Sequence, residues 1–371
     1  MKKFLIMSVF LGSVLSFGQK IGEYQFTHIV NNDHTEVLSQ GQTGTCWSFS
    51  TVSFLESEVK RITGKHVDLS EMYIVKNTYP AKAYNYVYRQ GKAQFSEGGL
   101  GHDVLNAVRT DGIVPHEFYT GIVDDAEKHD HSVMVAKLTG FVENLVKHKK
   151  AYLNDNWQAE FDGILEEYMG KEPKTFQFEG KQFTPIEFAN YLKINPDDYV
   201  AISSFTNVPY YKSFVLSIPD NFSNGSFYNL PLDEYMQLMN DALTKGFTLS
   251  FSSDVSESTF SAKQGMAILP SEGKKEDYFK SILPEKWATP EERQKNFENF
   301  TTVDDHLMHI TGMLKDQLGN QYYDVKNSWG SELANGGDVY MSAAFMRMKS
   351  IAFWVHKDAL SKDLKKKLGI F

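Results

Sequence analysis

The stretch SQGQTGTCWSFSTVSFLESEV, Ser39 to Val59, contains Cys46, the single cysteine of a 371-residue chain. Gly41 and Gly44 punctuate its first third, and after Cys46 the pattern becomes helical. Val52, Leu55, Val59 and Ile62 recur at spacings of three and four, with Glu56, Glu58, Lys60 and Arg61 between them. Ile62-Thr63-Gly64 is a stop signal. The spacing thus puts Cys46 at the start of a helix. Free N–H groups and the positive end of the helix dipole favour a thiolate there, the nucleophilic form of cysteine. The two glycines let the preceding loop turn tightly and come close to a substrate. The Cys46 N–H is then available to a developing oxyanion, with the Gln40 side-chain amide as a second donor.

A thiol nucleophile needs a base and a group that orients the base. The candidates lie far along the chain. His306 opens a strand-like run, HLMHITGMLKD, and Asn327 closes the next, NQYYDVKNSWG. A hairpin through Asp316–Asn320 brings the two together. The asparagine oxygen can accept the imidazole N–H and fix its tautomer. Trp329 is placed to shield that bond from water.

The remainder of the chain sets the frame. Apolar residues make up 42% and charged residues 23%, enough for a sizeable core. Lys2 and Lys3 precede a 14-residue apolar run, Phe4–Phe17, and the small residues Ser16 and Gly18 precede a cut before Gln19. Residues 1–18 read as an export signal, with an uncleaved anchor as the alternative. A span needs about 20 apolar residues. No other segment resembles a membrane span, so no stable membrane insertion is expected once the signal is removed. Loss of Lys2 and Lys3 takes the net charge from −9 to −11. That acidity argues against nucleic acid as a partner, and Lys365–Lys367 reads as the solvated face of a terminal helix. One cysteine cannot form an internal disulfide, so the fold must stand on its core.

Helical patterns dominate early: a segment capped by Ser70, a second ending near Gly112, a charged stretch over 125–170, and a helix capped by Thr184 with Pro185 at its first position. Strand character rises from Phe247 onward. The expected class is α+β with two facing parts. The expected divisions are a signal at 1–18, an N-terminal part at 19–120 carrying the cysteine helix, a mainly helical insertion at 121–235, and a strand-rich part at 236–371.

QGQTGTCWSFS resembles the nucleophile segment of papain-like cysteine peptidases, and NSWG resembles their asparagine motif. The resemblance implies a two-lobed fold, with a helical lobe facing a β-barrel-like lobe across a peptide-binding cleft. Residue by residue, it implies an oxyanion role for Gln40, nucleophile for Cys46, base for His306 and orienter for Asn327. Leu69-Ser70-Glu71 matches a further landmark. Gly98 and Gly99 match the paired glycines that lie beside the substrate backbone. Chain length, EPKTFQFEGKQFTPIEFANYL and DHLMHITGM are most similar to the bleomycin hydrolase and aminopeptidase C branch. Thr43 stands where secreted papain-like enzymes carry a disulfide cysteine, which fits this disulfide-free branch. The branch is usually cytosolic, whereas this chain carries an export pattern, so a periplasmic or secreted location is expected. Branch members also have a C-terminal arm that imposes aminopeptidase behaviour and a hexamer. Here the chain stops soon after its last strand and helix.

These readings give a thiol aminopeptidase acting on peptides, with a homo-oligomer possible and no metal or organic cofactor. The alternatives are an endopeptidase with an open cleft, a non-catalytic peptide-binding protein on the same fold, and acyl transfer to an amine. A metal reading of His306 and His309 is set aside, because strand residues three apart face opposite ways and no thiol or carboxylate completes a set. His34, His102, His129 and His131 read as scattered and exposed, and Asp304 and Asp305 as loop charges.

Overall fold

The computed structural model describes residues 20–123, 126–148 and 156–370. The export segment read at 1–18 lies outside them. After short strands that include Thr27–Asn31 come three helices: α1 (Cys46–Thr63), α2 (Glu71–Tyr88) and α3 (Gly101–Asp111). Each ends or begins where its sequence says it should. Gly64 terminates α1 in the left-handed conformation, at φ 77°. The Ser70 hydroxyl accepts the Tyr73 N–H at 3.0 Å, and Gly112 closes α3 at φ 81°. Thr184 caps Pro185–Tyr191 through a reciprocal bond with Glu187.

An eleven-stranded sheet forms the rest of the framework. At its centre, His306–Lys315 (the histidine strand) pairs antiparallel with Gln321–Lys326 (the asparagine strand) and with Leu249–Ser253. Thr27–Asn31 adds to the far end of the histidine strand. The hairpin turn is built as expected: Gly319 has φ 89°, and Asp316 Oδ1 accepts both the Leu318 and Asn320 N–H groups at 2.9 Å. Ser350–His356 extends the sheet on the other side.

The stretch read as a mainly helical insertion differs in its last third. Tyr199–Ser203, Ser213–Val215 and Ser226–Asn229 are strands of the large sheet. They are three to five residues long. Tyr199–Ser203 lies next to Ser350–His356 and is largely buried. A short strand covered in this way carries no alternation to betray it.

Residues along the histidine strand alternate between two cores. Leu307 joins the cluster that holds Trp47, Phe54 and Val59 of α1. Met308 and Ile310 join the opposite cluster, with Tyr235, Met239 and Leu243 of the helix Leu232–Thr244. The sheet is therefore sandwiched, with α1 on one face. Every residue of α1 from Trp47 to Val59 is buried. The face toward the sheet is made of small hydroxyl side chains, and each finds a partner. Ser50 Oγ donates to the Met308 carbonyl at 2.6 Å and lies 2.9 Å from Ser250 Oγ. Thr51 Oγ1 is 3.0 Å from the same Ser250 hydroxyl. Ser53 Oγ is 3.0 Å from His309 Nδ1. Small residues let the helix sit close to the strands, and their hydrogen bonds avoid the cost of burying bare hydroxyls. Among the described residues no helix is long and apolar enough to cross a membrane.

Ser50→Val adds volume at this closest contact and removes the hydroxyl. It is expected to destabilise the fold by about 1–3 kcal/mol, read as a lower midpoint in urea unfolding. An unchanged midpoint would mean that the helix and sheet are not tightly apposed there.

Candidate active site

Cys46 is the first residue of α1 and is partly exposed. The loop before it is held from several sides. The Gln40 N–H donates to the Ser328 carbonyl at 2.9 Å, the Gln42 N–H to the His129 carbonyl at 2.8 Å, and the His131 N–H to the Gln42 carbonyl at 3.2 Å. Gly41 has φ 66°, and a β-carbon there would run into the His129 carbonyl, so its backbone must be glycine. Trp47 Nε1 donates to the Glu97 carbonyl at 2.9 Å, and the Glu97 carboxylate reaches the Gly44 N–H. His131, read as exposed, is buried, with its Nδ1 3.7 Å from Glu97 Oε1. It packs against the cysteine loop, a long-range placement that local sequence does not carry.

His306 and Asn327 meet at the start of one strand and the end of the other. The imidazole Nε2 lies 2.7 Å from Asn327 Oδ1. That oxygen also accepts the Ser328 backbone N–H at 2.8 Å, which fixes the amide orientation. Nε2 therefore carries the proton, and Nδ1 keeps its lone pair. Trp329 covers the imidazole, with ring centroids 4.6 Å apart. The Cys46 thiol reaches the main chain of Leu307, the residue next to His306.

Gln40 is tied to the asparagine motif. Ser328 Oγ donates to Gln40 Oε1 at 2.6 Å, and Gln40 Nε2 donates to the Thr43 carbonyl at 2.6 Å. An amide nitrogen has two hydrogens, so one remains for a ligand. Gly99 packs on the Trp47 indole, and a β-carbon there would lie 3.0 Å from the ring. The Gly98 carbonyl accepts from Lys82 Nζ.

Electrostatics run against one expectation. The helix start was expected to lower the Cys46 pKa. Burial instead pushes the thiol up to about 12, and the carboxylates of Asp304 and Asp220 add to the rise. Burial also lowers the His306 imidazole to about 4. Desolvation exceeds a dipole contribution of about 1 kcal/mol. Each group alone is held neutral. Proton transfer from thiol to imidazole would replace two disfavoured single ionisations with one ion pair.

Asp304, read as a loop charge, accepts from Ser252 Oγ beside this pair, and burial pushes its carboxyl up to about 7. Asp305 Oδ1 caps the Val255 N–H at 2.9 Å. Lys326, just before Asn327, donates to Ser53 Oγ of α1 and to Thr35 Oγ1, both at 2.8 Å. No sequence signal marked Ser252 or Lys326, since each acts through a partner distant in the chain, and Ser328 was visible only as part of the NSWG motif. No group of three or more His, Cys, Asp or Glu side chains among the described residues is arranged to hold a metal.

A helix-borne thiol, a strand-borne imidazole oriented by an asparagine, and a sheet with helical parts define the class: a papain-like cysteine peptidase. Residues 92–369 match the model of the Peptidase C1-like family, and the chain belongs to that family. Aminopeptidase G of Lactobacillus delbrueckii subsp. lactis is 25% identical over 388 residues, spanning 90% of this chain and 83% of the relative. Aminopeptidase C of Listeria innocua serovar 6a is 24% identical over 378 residues, spanning 91% and 83%. The crystal structure of pepw from Lactobacillus rhamnosis superposes with a TM-score of 0.74 at 20% identity, covering 92% of this chain and 84% of that one. The chain falls in the aminopeptidase C and bleomycin hydrolase branch.

Asp304 holds its proton more tightly folded than unfolded. It therefore costs stability progressively as pH rises from its ordinary 3.8 to about 7. The lowered His306 acts only below its ordinary 6.5, where stability is lost as pH falls toward 4. Asp304→Asn is accordingly expected to flatten the decline in stability between pH 6 and 8, by about 1 kcal/mol. Urea midpoints at pH 6, 7 and 8 check it, and parallel curves for the two proteins would contradict it.

Proposed function

We propose that this peptidase is an aminopeptidase whose reaction runs through Cys46, His306, Asn327 and Gln40. The observation that carries the reading is the His306 Nε2 to Asn327 Oδ1 bond of 2.7 Å, which leaves Nδ1 free as a base, one residue from the Leu307 main chain that the Cys46 thiol reaches. The aminopeptidase names of the relatives support the exopeptidase part.

The Cys46 proton passes to His306 Nδ1 as Sγ bonds to the scissile carbonyl carbon. The carbonyl oxygen takes the charge and is held by the Cys46 N–H and the unused Gln40 Nε2 hydrogen. Collapse breaks the C–N bond, and His306 returns the proton to the leaving amine. Water then attacks the thioester, giving its proton to His306, and the C–S bond breaks to release the acid and restore the thiol. Asn327 holds the imidazole in its working tautomer throughout, and Trp329 keeps water from that bond. Gly98 and Gly99 border the path of the substrate backbone. No metal or organic cofactor enters these steps. The lysine pair, apolar run and small residues before Gln19 support action outside the cytoplasm after removal of residues 1–18.

The test is product analysis by mass spectrometry of a mixed peptide pool incubated with the mature protein and with Cys46→Ala. Stepwise loss of N-terminal residues with the intact cysteine alone is expected, and internal cuts would contradict the exopeptidase reading. His306→Ala is expected to lower kcat/KM by about 10²–10⁴-fold. Full activity in Cys46→Ala would overturn the mechanism.

A further inference from the structure

An enzyme that works from the free end of a peptide must read its α-ammonium, a cation with three hydrogen-bond donors. The chemistry that reads it is a carboxylate, held rigidly, not already paired, and on the substrate path near the nucleophile.

Asp220 meets each condition. It lies on the segment Leu216–Gly225, which loops over the start of the glycine pair. Asn221 closes that loop on itself: Nδ2 donates to the Leu216 carbonyl at 2.8 Å and the Gly225 carbonyl at 2.9 Å, and Oδ1 accepts the Gly225 N–H at 2.8 Å. Ser223 Oγ donates to Asp103 Oδ1 of α3 at 2.6 Å and pins the loop to the helical part. The Asp220 carboxylate is thereby laid directly on Gly98. A β-carbon at Gly98 would strike both carboxylate oxygens, so glycine is required there for this approach. The charge is felt at the reaction centre, since Asp220 is among the groups that raise the Cys46 thiol.

Its pairing is incomplete. The nearby cation, Lys82, makes no ion pair with Asp220 among the described residues. Its ammonium is committed to the carbonyls of Ser96 and Gly98. The remaining contact is a long hydrogen bond from Gln94 Nε2, at 3.5 Å. Burial raises the Asp220 pKa, the Lys82 charge opposes the rise, and Asp103 adds to it. The negative charge is thus partly desolvated, and Lys82 acts on it without a direct ion pair among the described residues, a condition that a bound ammonium relieves.

We propose that Asp220 is the specificity-determining residue that receives the α-ammonium of the peptide, so that the cleft selects substrates with a free N-terminus. The inference rests on the peptidase reading of Cys46 and His306, and adds to it the group that makes the enzyme an exopeptidase. An N-acylated peptide would bury the carboxylate against an uncharged group and lose the ion pair.

The experiment compares kcat/KM for a pair of fluorogenic peptide amides, identical except for a free or acetylated N-terminus, with the mature protein, Asp220→Asn, Asp220→Ala and Cys46→Ala. The wild type is expected to prefer the free amine by about 10- to 100-fold. Both Asp220 variants are expected to bring the ratio near unity through loss on the free substrate, with cleavage of the acetylated one retained. Retained cleavage shows that the variants are folded, and a purely structural role for Asp220 would lower both substrates together. Cysteine-dependent cleavage with no preference in the wild type, or a preference unchanged by both variants, would overturn the anchor and leave the peptidase reading standing. No cysteine-dependent cleavage of either substrate would overturn the peptidase reading, and the anchor with it.

Discussion

The seam between α1 and the histidine strand is the contact on which the rest depends. Cys46 stands on one side of it and His306 on the other, and neither can be placed without it. Ser50, Thr51 and Ser53 bring the helix close because they are small, and each hydroxyl has a partner on the sheet, Ser50 and Ser53 on the histidine strand and Thr51 on Ser250 of the strand beside it. Lys326 crosses it too, linking the asparagine strand to Ser53 and, through Thr35, to Glu56 of α1. Burial raises the Glu56 pKa and lowers that of Lys326. This polar chain carries a cost in desolvation that only complete hydrogen bonding offsets. It holds the helix and the strands in one register, and that register sets the distance between thiol and imidazole.

The same burial decides the electrostatics of the site. A thiol at an exposed helix start would be acidified. Here the Cys46 thiol reaches the main chain of Leu307, desolvation outweighs the helix start, and the charges of Asp304 and Asp220 act in the same direction, so its charged form is disfavoured. The imidazole is disfavoured as a cation for the same reason. Each group is thus held neutral by the same cause, and under the proposed mechanism a proton moves between them as one acid–base pair. Asp304 and Asp220 sit at its edge. One is partly neutralised by its own raised pKa, and the other lies against Gly98.

Much of this was legible in the sequence because it was local. The glycine-flanked cysteine, the stop at Gly64, the cap at Ser70 and the hairpin through Gly319 are each written within a few residues, and the last brings His306 to Asn327. What escaped was long-range. His131 packs on the cysteine loop from far along the chain. Asp304 is desolvated and accepts from Ser252, a residue 52 positions away in the chain. The strands between Tyr199 and Asn229 are too short, and too well covered, to show a period. The sign of the Cys46 shift followed the same rule: the helix start was visible in the sequence, and the enclosure that opposes it was not.

The most direct measurement of the central claim, that the seam joins thiol and imidazole into one acid–base pair, is the rate of Cys46 alkylation by iodoacetamide as a function of pH. It is followed by intact mass in the wild type and in His306→Ala. The account predicts a wild-type rate that stays high well below the pH at which an enclosed thiol would ionise alone, and a variant that reacts only at high pH. Superimposable profiles for the two proteins would contradict it.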